Sequence, residues 1–347
     1  MGVSKRVLER KYRQFKRKYL GEPLRDYNEF PCVIQIDTNN YCGPEHCKGQ
    51  YCTYCYPQWM IVRGKRRFVE MPMEWIEWIF REIKRDGAHM SYVDTFLNGD
   101  AQKEERNHEI WKKSKRLNSW LRTQTFTCGV LPEKVDLILD KNLDSLCFTI
   151  SAHTPSLYRK VHRADHFYDA LKTLGTVLDR RHKGLNVEVH CVLTKDNIGY
   201  ASEWWDYFGV NFPEVRRVLS PLVATSDNLP SRAALGYLTL DVQEDVIMKV
   251  AGAEGKMWTR ALIPHRKPCV LWDNMSIDCE GYILQCCNWC DPLKWNYGTI
   301  QELIDDGRSL KSVWMERLSN LMRNRVCRSC NMKHRDWMDR LPKIAAR

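Results

Sequence analysis

Eleven of the fifteen cysteines in this 347-residue chain fall in two groups, and both have the spacing of metal ligands. Four lie between Cys42 and Cys55, in the text YCGPEHCKGQYCTYC, and seven between Cys269 and Cys330. In a reducing compartment disulfides are rare, so clustered thiols point to metal binding or catalysis. Cys52-Thr-Tyr-Cys55 is a C-x-x-C with an aromatic before its second cysteine, and Cys47 and Cys42 stand upstream. Three thiolates can hold a [4Fe–4S] cluster and leave one iron open to a small molecule. Four would equally build a structural zinc site. In the second group, Cys269 is followed by eleven residues, Gly281, four residues and Cys286, and later by Cys327-Arg-Ser-Cys330. Four thiolates close a cluster and suit it to electron transfer, with a zinc ribbon as the plainer alternative. Cys32, Cys128, Cys147 and Cys191 are scattered and fit the role of small buried apolar residues.

These groups need elements to hold them. Strand-like runs at Cys32–Asp37, Met90–Leu97, Leu121–Thr127, Ser145–Ser151, Val187–Thr194 and Val215–Pro221 alternate with helical patterns. The helices are expected at Met73–Asp86, Arg106–Leu117, Pro132–Asp140, His166–Arg181 and Ala201–Gly209. Alternation of this kind implies parallel βαβ units, six of which suggest an open or partial barrel with its chemistry at the C-terminal strand ends. The first cysteine group follows directly on the first strand. After Pro264 cysteine and tryptophan become dense, and MSIDCEGYILQCC reads as a β-hairpin turning at Glu280-Gly281. A domain boundary is placed near residue 262, giving a barrel over 31–261 and a small domain over 262–347. Leu8, Tyr12, Phe15 and Tyr19 recur at helical spacing among Lys and Arg, so residues 1–30 read as a basic amphipathic helix.

The first group resembles the radical S-adenosylmethionine (SAM) signature C-x3-C-x2-C, in which the aromatic before the last cysteine, here Tyr54, lies near the adenine. The spacing departs from that pattern: nine residues separate Cys42 from Cys52 and four separate Cys47 from Cys52. Either can be the first ligand, and Thr38-Asn39 favours Cys42. Asn98-Gly99-Asp100, after the second strand, resembles the family's Gly-Gly-Glu-Pro motif, which contacts the SAM amino group. By position in the resemblance, Ser151 lies near the ribose, Arg163 follows it, and Asn197 ends the fifth strand near SAM. The second group resembles the auxiliary-cluster domains called SPASM or twitch, with Cys269, Cys286, Cys327 and Cys330 as ligands and Cys279, Cys287 and Cys290 as extras. YGTIQEL and SVWMERL resemble the helix that follows. The resemblance covers about residues 31–335.

The fold it implies is α/β: a partial (β/α)6 radical SAM barrel with a small C-terminal twitch/SPASM-like cluster domain. The implied cofactors are a SAM-binding [4Fe–4S] cluster, an auxiliary [4Fe–4S] cluster and SAM, fed by an electron donor such as flavodoxin or ferredoxin. Reductive cleavage of SAM would give a 5′-deoxyadenosyl radical that takes hydrogen from a substrate carbon. The substrate is not written in the sequence. A peptide is the first expectation, and dehydrogenation of a small alcohol the closest rival. The latter needs a base, and none of His46, His153, His162 and His190 stands out.

Hydrophobic residues make up 44% and charged residues 28%, which supports a packed core and argues against global disorder. No apolar run is long enough to span a membrane and no secretory signal opens the chain, so a soluble, cytoplasmic protein is expected. The net charge of +11 resides at the ends: nine Lys/Arg against three Asp/Glu in residues 1–28, and the same again in 315–347. Such ends can hold an acidic peptide or nucleic acid, although no nucleic-acid-binding motif accompanies them. Two further readings remain open at this stage: a zinc-stabilised RNA-binding module, and a radical SAM fold that no longer cleaves SAM.

Overall fold

The computed structural model describes residues 30–42, 51–88, 90–96, 99–222, 229–255, 274–284, 293 and 296–320. The expected N-terminal helix and the boundary near residue 262 lie outside them, as do Cys47, Asn98, Cys269, Cys286, Cys287, Cys290, Cys327, Cys330 and His46. In chain order the elements are β1 (Val33–Ile36), α1 (Tyr56–Val62), α2 (Met73–Asp86), β2 (Tyr92–Asp94), α3 (Asn107–Leu117), β3 (Arg122–Thr127) and β4 (Ser145–Thr149). There follow α4 (Pro155–His162), α5 (Phe167–Arg180), β5 (Asn186–Leu193), α6 (Ala201–Asn211), β6 (Arg216–Pro221), α7 (Leu229–Leu235) and α8 (Leu240–Gly255). The described chain closes with β7 (Asn274–Ile277), β8 (Tyr282–Leu284), β9 (Asn296–Thr299), α9 (Ile300–Asp305) and α10 (Leu310–Asn320).

β1 to β6 lie side by side in sequence order and are parallel throughout. α-Helices occur in every β–β connection of this run except β3–β4, where the expected helical segment forms as a 3-10 helix, Pro132–Ile138. The sheet does not close on itself among the described residues, so the architecture is the expected partial barrel. One layer of side chains is apolar. Ile34, Val93, Leu146, Phe148, Val187 and Val189 are fully or almost fully buried and share a core with Ile79, Phe80, Trp111, Leu174, Val177 and Trp204 of the helices. Burying each side chain of this size contributes about 1.5–3 kcal/mol. The period of the sequence explains the match. In α2, Ile76, Ile79, Phe80 and Ile83 fall on one buried face.

The opposite face of the strands is polar. Ser276 Oγ donates to Gln35 Oε1 (3.1 Å) and Gln35 Nε2 to Asp94 Oδ2 (3.1 Å). Farther along the sheet, Arg216 donates to Glu188 (3.0 Å).

The hairpin expected at Glu280-Gly281 forms, as β7 and β8. It does not stand apart: β7 pairs in parallel with β1, from Val33↔Asn274 to Ile36↔Ile277, so β7–β9 extend the barrel sheet at its β1 edge. Asp278 organises the turn by accepting the N–H groups of Glu280 (3.1 Å) and Tyr282 (2.9 Å). Gly281 takes φ +81°, a value glycine adopts without strain, and a side chain there would meet the Trp75 ring of α2.

Candidate active site

The site is built where β1 ends. Asp37 N–H continues the ladder to Ile277 O (2.8 Å), and then Thr38, Asn39 and Asn40 run buried towards Cys42. Asn40 fastens this loop: its side chain donates to Arg67 O (2.9 Å) and accepts from Val69 N–H (2.9 Å). Gln58 of α1 donates to Asn40 O (2.8 Å), which draws the start of α1 against the same loop. Cys55 N–H closes a turn to Cys52 O (2.9 Å), and Cys55 is the residue before α1, whose start is favoured by Pro57. The C-x-x-C spacing thus becomes a turn that leads into a helix N-terminus.

Cys42, Cys52 and Cys55 come together here, with Cys42 and Cys52 buried. A hydrogen bond with the Cys128 thiol, then burial, pushes the Cys42 thiol well up. Burial, with Cys128 and Cys55 nearby, does the same to Cys52. Cys55 is pushed up to about 12, chiefly by burial and against a hydrogen bond from the backbone of Gln58. Buried thiols of this kind hold their protons unless a metal replaces them, because a bound metal compensates the thiolate charge. Three soft donors on one loop and helix start fit the donor set of an iron–sulfur cluster.

The residues named from the sequence are distributed around this point. Gly99 approaches Asn39 so closely that a Cβ would lie 2.4 Å from Asn39 O and 2.6 Å from its Oδ1. Asp37 Oδ1 accepts Gly99 N–H (3.2 Å), and Asp100 N–H donates to Tyr41 O (2.8 Å), so the β2 loop is stitched to the Cys42 loop. The Asp100 carboxylate is buried and accepts from Gln102 N–H (2.9 Å), Thr127 Oγ1 (2.7 Å) and Cys128 N–H (2.7 Å). It binds the β2 and β3 ends together. Ser151 and Asn197 perform the same service for β4 and β5. Ser151 Oγ accepts Val192 N–H (3.0 Å), and Asn197 Nδ2 donates to Ser151 O and Val192 O (2.9 Å each). Arg163 is exposed, ends α4 in the left-handed region (φ 54°), and sets its guanidinium over the Tyr51 ring at 5.6 Å, beside Cys52.

Two residues emerge that the sequence reading did not assign to the site. Cys128, read as a packing residue, stands at the β3 end beside Cys42, Cys52 and Cys55. Its position just past a strand C-terminus was the available signal. His162 connects two motifs: Ser151 N–H donates to Nε2 (3.0 Å), so Nδ1 carries the proton and donates to Cys52 Sγ at 3.2 Å. Its ring stacks on Tyr158 (4.2 Å) and meets Tyr54 edge-on (6.4 Å). The signal was the helix start Thr154-Pro155, which puts His162 in the last turn of α4. Of the other histidines, His190 pairs with Glu188 on the polar face and His153 lies near Tyr200 and Tyr207.

Residues 45–200 match the family described as the Radical SAM superfamily, so this part of the chain carries a radical SAM domain match. That span includes Cys47, Cys52 and Cys55 and begins just after Cys42. No curated protein sequence matches the chain. Among solved structures, the chain is similar to Streptococcus suis SuiB bound to precursor peptide SuiA. The identity is 16% over 93% of this chain and 73% of SuiB, with a TM-score of 0.62. It is also similar to native anSMEcpe with bound AdoMet, at 13% identity over 87% of this chain and 89% of that one, TM-score 0.58. A further structure, anSMEcpe with AdoMet and the Cp18Cys peptide, gives a TM-score of 0.56 at 13% identity over 87% of this chain and 88% of that one. At these identities the likeness is one of fold. No helix among the described residues is long and apolar enough to cross a membrane.

Proposed function

We propose that the chain is a radical SAM enzyme that modifies a peptide, with Cys42, Cys52 and Cys55 holding the SAM-binding cluster. The observation that carries this reading is the meeting of those three thiols at the end of β1, in a parallel partial barrel whose residues 45–200 match the superfamily. When bound, a [4Fe–4S] cluster with SAM supplies one-electron cleavage of the sulfonium to a 5′-deoxyadenosyl radical. The chain's own residues have other tasks. His162 holds Cys52 in place from Ser151, and Asp100, Ser151 and Asn197 lock the strand ends so that the cofactor faces a rigid rim. Burial of Cys42 and Cys52 keeps water from the donors.

Cys269, Cys286, Cys327 and Cys330 are proposed to close a second cluster. The β7–β8 hairpin, which precedes Cys286 in the sequence, runs beside the strand that precedes Cys42. Two observations support a peptide substrate. Structures with bound peptides are among those the fold resembles, and both ends of the chain are basic enough to hold an acidic leader. The test is anaerobic SAM cleavage after cluster reconstitution. C52A, C55A and C42A should each abolish 5′-deoxyadenosine formation while C47A retains it. Cleavage surviving in C52A or C55A would remove the assignment, and the reverse order for C42A and C47A would move the first ligand to Cys47.

A further inference from the structure

The polar face of the barrel sheet carries a third group of donors, remote in sequence from both cysteine clusters. Cys147 of β4 and Glu188 of β5 are register partners, and His190 follows two residues on, so all three side chains leave the sheet on one face. Their donor atoms lie within 4.8 Å of one another and all three residues are buried. Glu188 Oε2 is the meeting point, 2.9 Å from His190 Nε2 and 3.9 Å from Cys147 Sγ. Tetrahedral ligands bound at ~2.0–2.3 Å stand roughly 3.3–3.8 Å apart. A shift of about half an ångström at His190 therefore opens the space such an ion needs.

The surroundings are prepared for a cation. Glu188 Oε1 is held from behind by Arg216 (3.0 Å) and Asn186 (3.0 Å), which leaves Oε2 directed at His190 and Cys147. Phe126 meets the His190 ring edge-on at 5.8 Å and fixes its plane. A second carboxyl group lies near the cluster. Asp94 is 2% exposed, and its Oδ1 is buried with no hydrogen-bond partner. Asp94 and Glu188 both act electrostatically on Cys147. Burial raises Asp94 and Cys147 above their ordinary values, and the charge of Glu188 raises both further. Arg216 compensates Glu188, but Asp94 Oδ1 has no partner, and a cation nearby relieves the cost of burying it.

We propose that Cys147, Glu188 and His190 form a site for one divalent transition-metal ion of the zinc type, with water in the fourth position. One sulfur, one nitrogen and one oxygen donor suit a borderline-soft ion such as Zn2+, Co2+ or Fe2+ and disfavour Mg2+ or Ca2+. The outer contacts from Arg216 and Asn186 to Glu188 match the way bound carboxylates are themselves hydrogen-bonded. Binding replaces the thiol proton, so it releases acid. The ion would tie β4 to β5 on the polar face. This site shares no donor with the SAM-cluster cysteines, and its failure leaves the proposed enzyme activity untouched.

The test uses the full chain, reconstituted with iron and sulfide and then equilibrated with Zn2+. Diffraction data at the zinc edge separate zinc from iron. An anomalous peak between Cys147 Sγ, Glu188 Oε2 and His190 Nε2 is the expected result, and a folded crystal without that peak overturns the proposal. In solution, Co2+ titration of the same protein should give one more equivalent than H190Q or C147A takes up, with a thiolate-to-cobalt absorption that C147A lacks. Equal stoichiometry in all three proteins also overturns it.

Discussion

Asp94 illustrates what a buried carboxyl does to the pH dependence of a fold. Burial lifts it to about 7, against a hydrogen bond from Gln35 and with help from the charge of Glu188. The unfolded chain releases this proton near pH ~4. Between about pH 4 and about pH 7 the folded protein therefore binds the extra proton, and stability falls as pH rises through that window. Asp94→Asn should flatten the slope, read as urea midpoints at the two ends of the window; an unchanged slope contradicts the assignment. Gly99 is the second test at this scale. Its neighbour is Asn39 backbone, which cannot swing away, so Gly99→Ala should cost about 1–3 kcal/mol by overpacking. A loss below about 0.5 kcal/mol, within the range of an ordinary surface change, would mean that the approach is not tight. Single residues were the least legible part of the sequence. Cys52 and Cys55 announce themselves by spacing, whereas Cys128 and His162 reach the site only because β3 and α4 end there.

Elements were easier to read, because periodicity is a local property. Met73–Asp86 matches its expected helix residue for residue, and the six strands fall within a few residues of expectation. What local pattern does not encode has physical reasons. The helical segment at Pro132 forms as a tighter 3-10 helix over Pro132–Ile138, with Lys134 outside helical geometry. The hairpin forms at Glu280-Gly281 as expected, and the pairing of β7 with β1 is a long-range contact that no local pattern encodes. A buried ion pair anchors that hairpin: Arg66 donates to Asp278 (2.9 Å) and to Glu280, and side-chain exposure at Arg66 and Asp278 is 3% and 0%. Removing Arg66 leaves the Asp278 carboxylate buried and unpaired once it ionises, so Arg66→Met should destabilise by roughly 3–5 kcal/mol at alkaline pH. Burial lifts Asp278 to about 7 even beside Arg66, whose charge lowers it, so in the variant the carboxyl holds its proton to higher pH and the penalty should shrink as pH falls from the alkaline range towards 7. A penalty independent of pH would count against Asp278 as the stranded charge. Calorimetry of the variant at two pH values checks both statements.

For the whole molecule, parallel βα alternation predicted the partial barrel, and the order β6-β5-β4-β3-β2-β1 agrees with it. Such sheets carry their chemistry at the C-terminal strand ends, and there the chain gathers Cys42, Gly99, Asp100, Cys128, Ser151 and Asn197 from five strands. That convergence was readable in outline, because each motif follows its strand. The shared role of the thiols was readable from their motif, whereas the hydrogen bonds of Asn40 and Gln58 that fasten their loop were not. The substrate is set by surfaces that a fold shared at 13–16% identity does not specify. The most direct measurement is anaerobic purification with iron and sulfide counting, followed by dithionite, SAM and an assay for 5′-deoxyadenosine. The account predicts about eight iron and eight sulfide per chain, as two [4Fe–4S] clusters require, together with 5′-deoxyadenosine. Cysteine-bound zinc in place of iron after attempted reconstitution, with no SAM cleavage, would contradict it.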